Sequence, residues 1–110
     1  MTQNSTHNSE FSVVLPCYNP PKDWEKIVVD SVIELEKRTQ KKIHLIIVND
    51  GSTTKKIDSH FDFISSKLAR FTPLSYPENR GKGYALRQGM EQAKTDLIIY
   101  TDIDFPYTLE

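Results

Sequence analysis

Asp102 and Asp104 stand two residues apart directly after the apolar run Asp96 to Thr101 (DLIIYT). Two carboxylates so spaced at a strand end can approach one cation. Hard oxygen ligands suit Mg2+ or Mn2+, ions that also hold substrate phosphates. A diphosphate leaving group needs such a charge partner. A solvated acidic turn would look the same in isolation; the place after an apolar strand favours the metal. Asp50-Gly51-Ser52 reads first as a turn whose serine can cap the next helix, and its carboxylate could also accept a hydrogen bond from the edge of a base. Asn79-Arg80-Gly81-Lys82-Gly83 sets two glycines and two cations at a helix entrance, where the helix dipole and N–H groups attract anions. A flexible solvated loop is the plainer reading. The stretch is not a Walker A loop, since no Ser or Thr follows Lys82, and Leu86 stands where a dinucleotide fingerprint needs its third glycine. In Pro16-Cys17-Tyr18-Asn19, Tyr18 could stack on a base or pack at a strand end. No histidine lies near Cys17 in sequence, and His7, His44 and His60 lack ligand spacing, so the thiol reads as small and buried. His44 lies within a strand and reads as a packed core or surface residue.

These stretches need elements to position them. Phe11 to Pro16 (FSVVLP) and Ile43 to Val48 (IHLIIV) read as buried strands. Between them, Trp24, Ile27, Val28, Val32 and Leu35 recur at spacings of three and four, which predicts a helix over Asp23 to Thr39 with those residues inward. A second helix is expected from about Thr54 to Leu68, with Ile57, Phe61, Ile64 and Leu68 on its inner face. Phe71 to Tyr76 reads as an edge or irregular strand because it contains Pro73. Gly81 to Ala93 reads as a third helix, with Leu86, Met90 and Ala93 inward, and Asp96 to Thr101 as a fourth strand. The order βαβαβαβ implies an α/β, Rossmann-like, mostly parallel sheet with flanking helices and right-handed crossovers. In such sheets ligands bind beyond the carboxyl ends of strands. Pro16–Asn19, Asp50–Ser52 and Asp102–Asp104 each follow a strand and so belong on one edge.

The bulk properties limit the function classes. A chain of 110 residues suits one domain or part of one, and a net charge of -1 carries no basic footprint for nucleic acid. No apolar stretch is long enough to span a bilayer. One cysteine excludes an internal disulfide and fits a reducing, cytoplasmic location, at the membrane face where the chain belongs to a longer protein. Met1 to Glu10 is polar, without the apolar segment of a signal peptide, and reads as a disordered tail before a domain over 11–110. The sequon Asn4-Ser5-Thr6 is then idle.

As a set, VVLPCYNP (13–20), IIVNDGST (46–53), NRGKGYALRQGM (79–90) and IIYTDIDFPY (98–107) resemble the family-2 glycosyltransferases of the GT-A fold, in order and in spacing. The resemblance covers residues 11 to 107. It implies a nucleotide-diphosphate sugar as substrate, most often a UDP-sugar, and a divalent metal, Mn2+ or Mg2+. Pro16, Tyr18 and Asn19 match the loop that lines the base and ribose, and Asp50 the carboxylate that recognises the base, with Gly51 beside it. Lys82 and Gly83 match the loop that closes over the nucleotide. Asp102 and Asp104 match the DxD motif, the first touching ribose or metal and the second coordinating metal. The 79–90 stretch also looks like members that transfer sugars to polyprenyl phosphates; the acceptor could equally be a polysaccharide or another lipid. The resemblance implies an inverting transfer whose catalytic base lies in a further half, roughly another hundred residues. The chain ends six residues after Asp104, so it is expected to supply the donor and metal half and to lack transfer activity alone.

Two other classes fit less well. A nucleotidyltransferase would carry a glycine-rich basic loop after the first strand, where this chain has PCYNPP. A response-regulator-like domain would need an acidic cluster there. A non-catalytic module that binds nucleotide sugars remains compatible with every motif.

Overall fold

The computed structural model describes residues 10–54 and 56–101. Its elements are β1 (Glu10–Cys17), α1 (Trp24–Thr39), β2 (Lys42–Asp50), α2 (Ile57–Lys67), β3 (Phe71–Tyr76), α3 (Lys82–Gln92) and β4 (Ile98–Tyr100). The four strands form one sheet in the order β3-β2-β1-β4, and every pair is parallel. Pro73 is tolerated because β3 is an edge strand, where one side of the backbone makes no ladder bond. Glu10, expected in the tail, is the first residue of β1 and pairs with Arg70 at 3.1 Å. The rest of the tail, 1–9, lies outside the described residues.

The strand order fixes which face each helix covers. Steps from β1 to β2 to β3 run one way across the sheet, and the step to β4 returns past β1. Right-handed crossovers then put α1 and α2 on one face and α3 on the other. The packing agrees. Odd-numbered strand residues Phe11, Val13, Leu15, Ile43, Leu45 and Ile47 form one apolar cluster with Trp24, Val28, Val32, Ile57, Phe61 and Ile64. Even-numbered Val14, Ile46 and Val48 form a second with Ala85. Each fully buried aliphatic side chain contributes roughly 1.5–3 kcal/mol.

Two inward faces differ from the sequence reading. In α1, Ile27 is 48% exposed, while Val29 and Ser31 are buried. The buried stripe follows Trp24, Val28 and Val32 at four-residue steps, and Ile27 falls outside it. In α3, Met90 is exposed and the contact is made by Ala85 and Gly89. A Cβ on Gly89 would collide with Val14, so the helix lies against the sheet at its glycine. Leu86 and Ala93 pack at the margin of that contact, as expected.

Candidate functional site

The carboxyl ends of the strands carry three loops, and polar bonds tie them to one another. Asn19 has φ 45°, a left-handed conformation that asparagine tolerates better than most residues. Its backbone N–H donates to Ser52 Oγ at 2.9 Å, and its Oδ1 accepts from the backbone N–H of Thr53 at 2.8 Å and of Thr54 at 3.3 Å. The loop after β1 is thereby fixed to the loop after β2.

Asp50 ties the loop after β2 to the loop after β3. Its Oδ1 accepts from Arg80 N at 2.8 Å; its Oδ2 accepts from Gly81 N at 3.0 Å and from Asn79 Nδ2 at 2.9 Å. Asn79 Nδ2 also donates to the Asp50 carbonyl at 3.1 Å. Gly81 has φ 98° and caps α3 with no side chain of its own, so this carboxylate serves the entrance of that helix from another loop. Gly51, at φ 69°, lets the two loops touch: a Cβ there would collide with the backbone of Glu78 and Asn79. Asp50 is only 4% exposed. The Tyr76 hydroxyl is buried against the same carboxylate without a well-aligned hydrogen bond; burial, then Asp50, pushes its pKa up. Tyr76 and Tyr84 meet edge to face at 5.2 Å, and the Arg80 guanidinium lies 5.3 Å from the Tyr84 ring centroid.

The third junction is a cavity of about 250 Å³ lined by Pro16, Lys82, Leu86, Tyr100 and Thr101. It lies where β1 and β4 end side by side. Thr101 N donates to Val14 O at 3.2 Å and holds the chain there. Because β2 and β4 leave β1 on opposite sides, this is the switch point of the sheet, where open α/β sheets open a ligand crevice. A second, polar cleft of about 390 Å³ lies on the β2–β3 side, lined by residues that include Asn49, Ser52, Thr54, Ser75 and Tyr76.

The structure thus places Pro16 and Lys82 in one cavity, Asn19 and Asp50 as braces between loops, Gly51 at a close approach, and Gly83 in the first turn of α3, where a Cβ would meet only the Arg87 guanidinium at 3.7 Å. Tyr18 is 51% exposed. Asp102 and Asp104 lie outside the described residues, and among the described residues no three His, Cys, Asp or Glu side chains converge as metal ligands. Cys17 is the small buried thiol expected: burial pushes its pKa up to about 12, against a hydrogen bond with Ser52. Sequence reasoning missed Leu86, Tyr100 and Thr101, and the Tyr76–Tyr84–Arg80 stack. The four-residue step from Arg80 to Tyr84 at a helix start was the available signal.

The description Glycosyl transferase family 2 is that of the family model matching residues 12–108. The chain belongs to that family. Among curated relatives of this family-2 chain, a dolichyl-phosphate beta-glucosyltransferase of Trichomonas vaginalis is 28% identical over 97 residues, covering 84% of this chain and 29% of the relative. A poly-beta-1,6-N-acetyl-D-glucosamine synthase of Staphylococcus aureus is 36% identical over 100 residues, covering 86% of this chain and 21% of the relative. The family-2 chain therefore spans under a third of these relatives. Among solved structures, residues 1–349 of S. aureus TarS in complex with UDP-GlcNAc superpose with a TM-score of 0.64 at 24% identity, over 86% of this chain and 26% of that TarS chain. The mannosyltransferase PcManGT from Pyrobaculum calidifontis, in complex with GDP-Man and Mn2+, gives 0.64 at 20% identity, over 86% and 27%. At those identities the likeness is one of fold, and it is the α/β GT-A arrangement expected from the motifs. No helix among the described residues is long and apolar enough to cross a membrane.

Proposed function

We propose that this family-2 chain supplies the donor-binding part of an inverting glycosyltransferase that moves a hexose from a nucleotide-diphosphate sugar, a UDP-sugar by preference, to an acceptor hydroxyl or phosphate. The observation that carries this reading is the cavity at the β1–β4 switch point, which joins Pro16 and Lys82 to the strand end that leads into Asp102. Tyr18, exposed at the end of β1, offers a stacking face for the base. Asp50 spends three acceptor positions on the loop after β3. A carboxylate has about four, and the Tyr76 hydroxyl is buried against the same group, so we assign to Asp50 the placing of the loops that face the base. Lys82 and the N–H groups of the first turn of α3 suit the diphosphate.

Asp102 and Asp104 have the hard oxygen chemistry for Mg2+ or Mn2+, which when bound neutralises charge on the diphosphate. A base from a further half of the protein would deprotonate the attacking hydroxyl of the acceptor. None of the residues lining the described cavity is a carboxylate or a histidine, which also favours a second reading: donor binding by this chain with transfer completed elsewhere.

Calorimetric titration with UDP and GDP, in Mn2+ and then in EDTA, tests the proposal on the chain and on Asp104→Ala. Metal-dependent binding lost in the variant is the expected result. A folded chain that binds neither nucleotide would overturn it.

A further inference from the structure

α3 itself reaches over only part of its face of the sheet. α3 has 11 residues, about 16 Å of helix, and its Gly89 already lies against Val14 and Val48. The lower part of the sheet, towards the strand N-termini, is therefore beyond its end, and the sequence there changes from apolar to polar. Ser12 Oγ and Thr95 Oγ1 are 2.8 Å apart, and His44 Nε2 and Thr72 Oγ1 are 2.7 Å apart. These four side chains form a polar row that crosses the sheet beneath Val14 and Ile46.

A cleft of about 330 Å³ opens on this row, lined by Glu10, His44, Ala69, Arg70, Phe71, Thr72, Lys94 and Thr95. Its charge is unbalanced. Arg70 and Lys94 both act on the His44 ring, and Glu10 alone opposes them. Glu10 is engaged by Arg70 through Nη1 at 3.1 Å, and one contact leaves other N–H groups of the guanidinium fork unused. Lys94 forms no ion pair with any described residue. Burial, followed by the two cations, holds His44 below its ordinary pKa. A group so placed gains a proton more readily once a negative charge enters beside it.

We propose that this cleft, on the sheet edge opposite the donor loops, binds a phosphate-class oxyanion between Arg70, Lys94 and His44. Arg70 and Lys94 supply charge-assisted donors, and the imidazole a third cation when the anion is in place; the Thr95 hydroxyl is spent on the Leu97 carbonyl at 2.8 Å. The site uses no residue of the donor cavity, so it is independent of the function proposed above.

The test is a titration of the 15N-labelled chain with inorganic phosphate at constant ionic strength, reading the His44 ring nitrogens. The expected result is a saturable shift, with His44 protonating at higher pH when phosphate is present. Affinity should fall about tenfold in Lys94→Ala, the loss of one charge-assisted contact, and return in Lys94→Arg. Lys94 lies outside the apolar clusters, so neither variant threatens the fold. A parallel titration with phosphatidylcholine vesicles containing phosphatidic acid separates the sources. Vesicle binding competed by free phosphate and weakened in Lys94→Ala assigns the site to a lipid headgroup; a response to phosphate alone assigns it to the free ion. Shifts that stay linear with phosphate, or that are identical in Lys94→Ala, overturn the proposal.

Discussion

Beneath α1 and α2 the sheet meets Trp24, Val28, Val32, Ile57, Phe61 and Ile64; beneath α3 it meets Ala85 and a glycine. On the first face large side chains are sealed from water, and aromatic rings stack in sequence, Trp24 to Phe61 at 6.4 Å and Phe61 to Phe71 at 5.8 Å. On the second, Met90 and Tyr100 stay exposed and the order of the loops comes from hydrogen bonds made by Asp50. Buried apolar area holds a fold together without directionality, whereas a charged acceptor with three donors fixes positions. The two faces divide those tasks: one carries global stability, the other the placement of the loops around the candidate site.

That division predicts the largest effect at Trp24. Trp24→Ala removes a side chain that is 1% exposed and donates to His60 Nδ1 at 2.9 Å. It should cost about 3–5 kcal/mol, enough to unfold a marginal domain, read as the midpoint of urea denaturation. A loss under about 1 kcal/mol would mean that the α1–α2 face does not carry the fold. On the thin face the largest effect should come from adding a single carbon. Gly89→Ala gains helix propensity, yet its Cβ meets both Val14 methyls and a Val48 methyl. A net loss of about 1–3 kcal/mol is expected, and a stabilised variant would show that α3 can lift away freely.

The same asymmetry explains what the sequence made legible. The strands and their parallel order follow from apolar runs separated by turn residues, and the described strands appear where periodicity put them. The face of α1 was misread at Ile27, which is exposed, and at Val29 and Ser31, which are buried, because a stripe of four-residue steps can pass on either side of one apolar residue. The face of α3 was misread at Met90 because periodicity rewards large apolar residues, while a helix in close contact with a sheet uses small ones. The bracing of the loops was not legible at all. Asn19 to Ser52 and Asp50 to Gly81 are contacts 33 and 31 residues apart. They depend on positive φ at Asn19, Gly51 and Gly81, angles that a motif suggests but does not specify.

Asp50→Asn is the intermediate case, and it separates placement from stability. The new amide must turn an N–H towards either Arg80 N or the pair formed by Gly81 N and Asn79 Nδ2, so at least one donor faces a donor. Global stability should drop by only about 1–2 kcal/mol. Amide exchange at Arg80 and Gly81 should rise about tenfold or more, while the β1 and β2 amides keep their protection. Nucleotide affinity should fall alongside. Uniform deprotection of the sheet would instead make Asp50 a pillar of the whole fold and erase the contrast between the faces.

The smallest effect reads both faces at once through alkaline pH. Cys17 on the α1–α2 side and Tyr76 on the α3 side both hold their protons more tightly in the folded chain than their ordinary values of 9.0 and 10.0 imply. For an acid whose folded pKa is raised, the unfolded chain loses its proton first, so stability is full below the unfolded value and declines as pH rises towards the folded one. Burial is the main cause for both groups, and it disfavours the thiolate and the phenolate. Stability should therefore fall by about 1 kcal/mol between roughly pH 8 and pH 10, most of it from Cys17 because its unfolded value is the lower. Cys17→Ala should flatten that part of the curve, leaving the shallower Tyr76 decline. The native thiol should also resist a thiol reagent at pH 8 until urea unfolds the chain. Rapid modification without unfolding would show that the carboxyl end of β1 opens to solvent and that the sealed face is not sealed there.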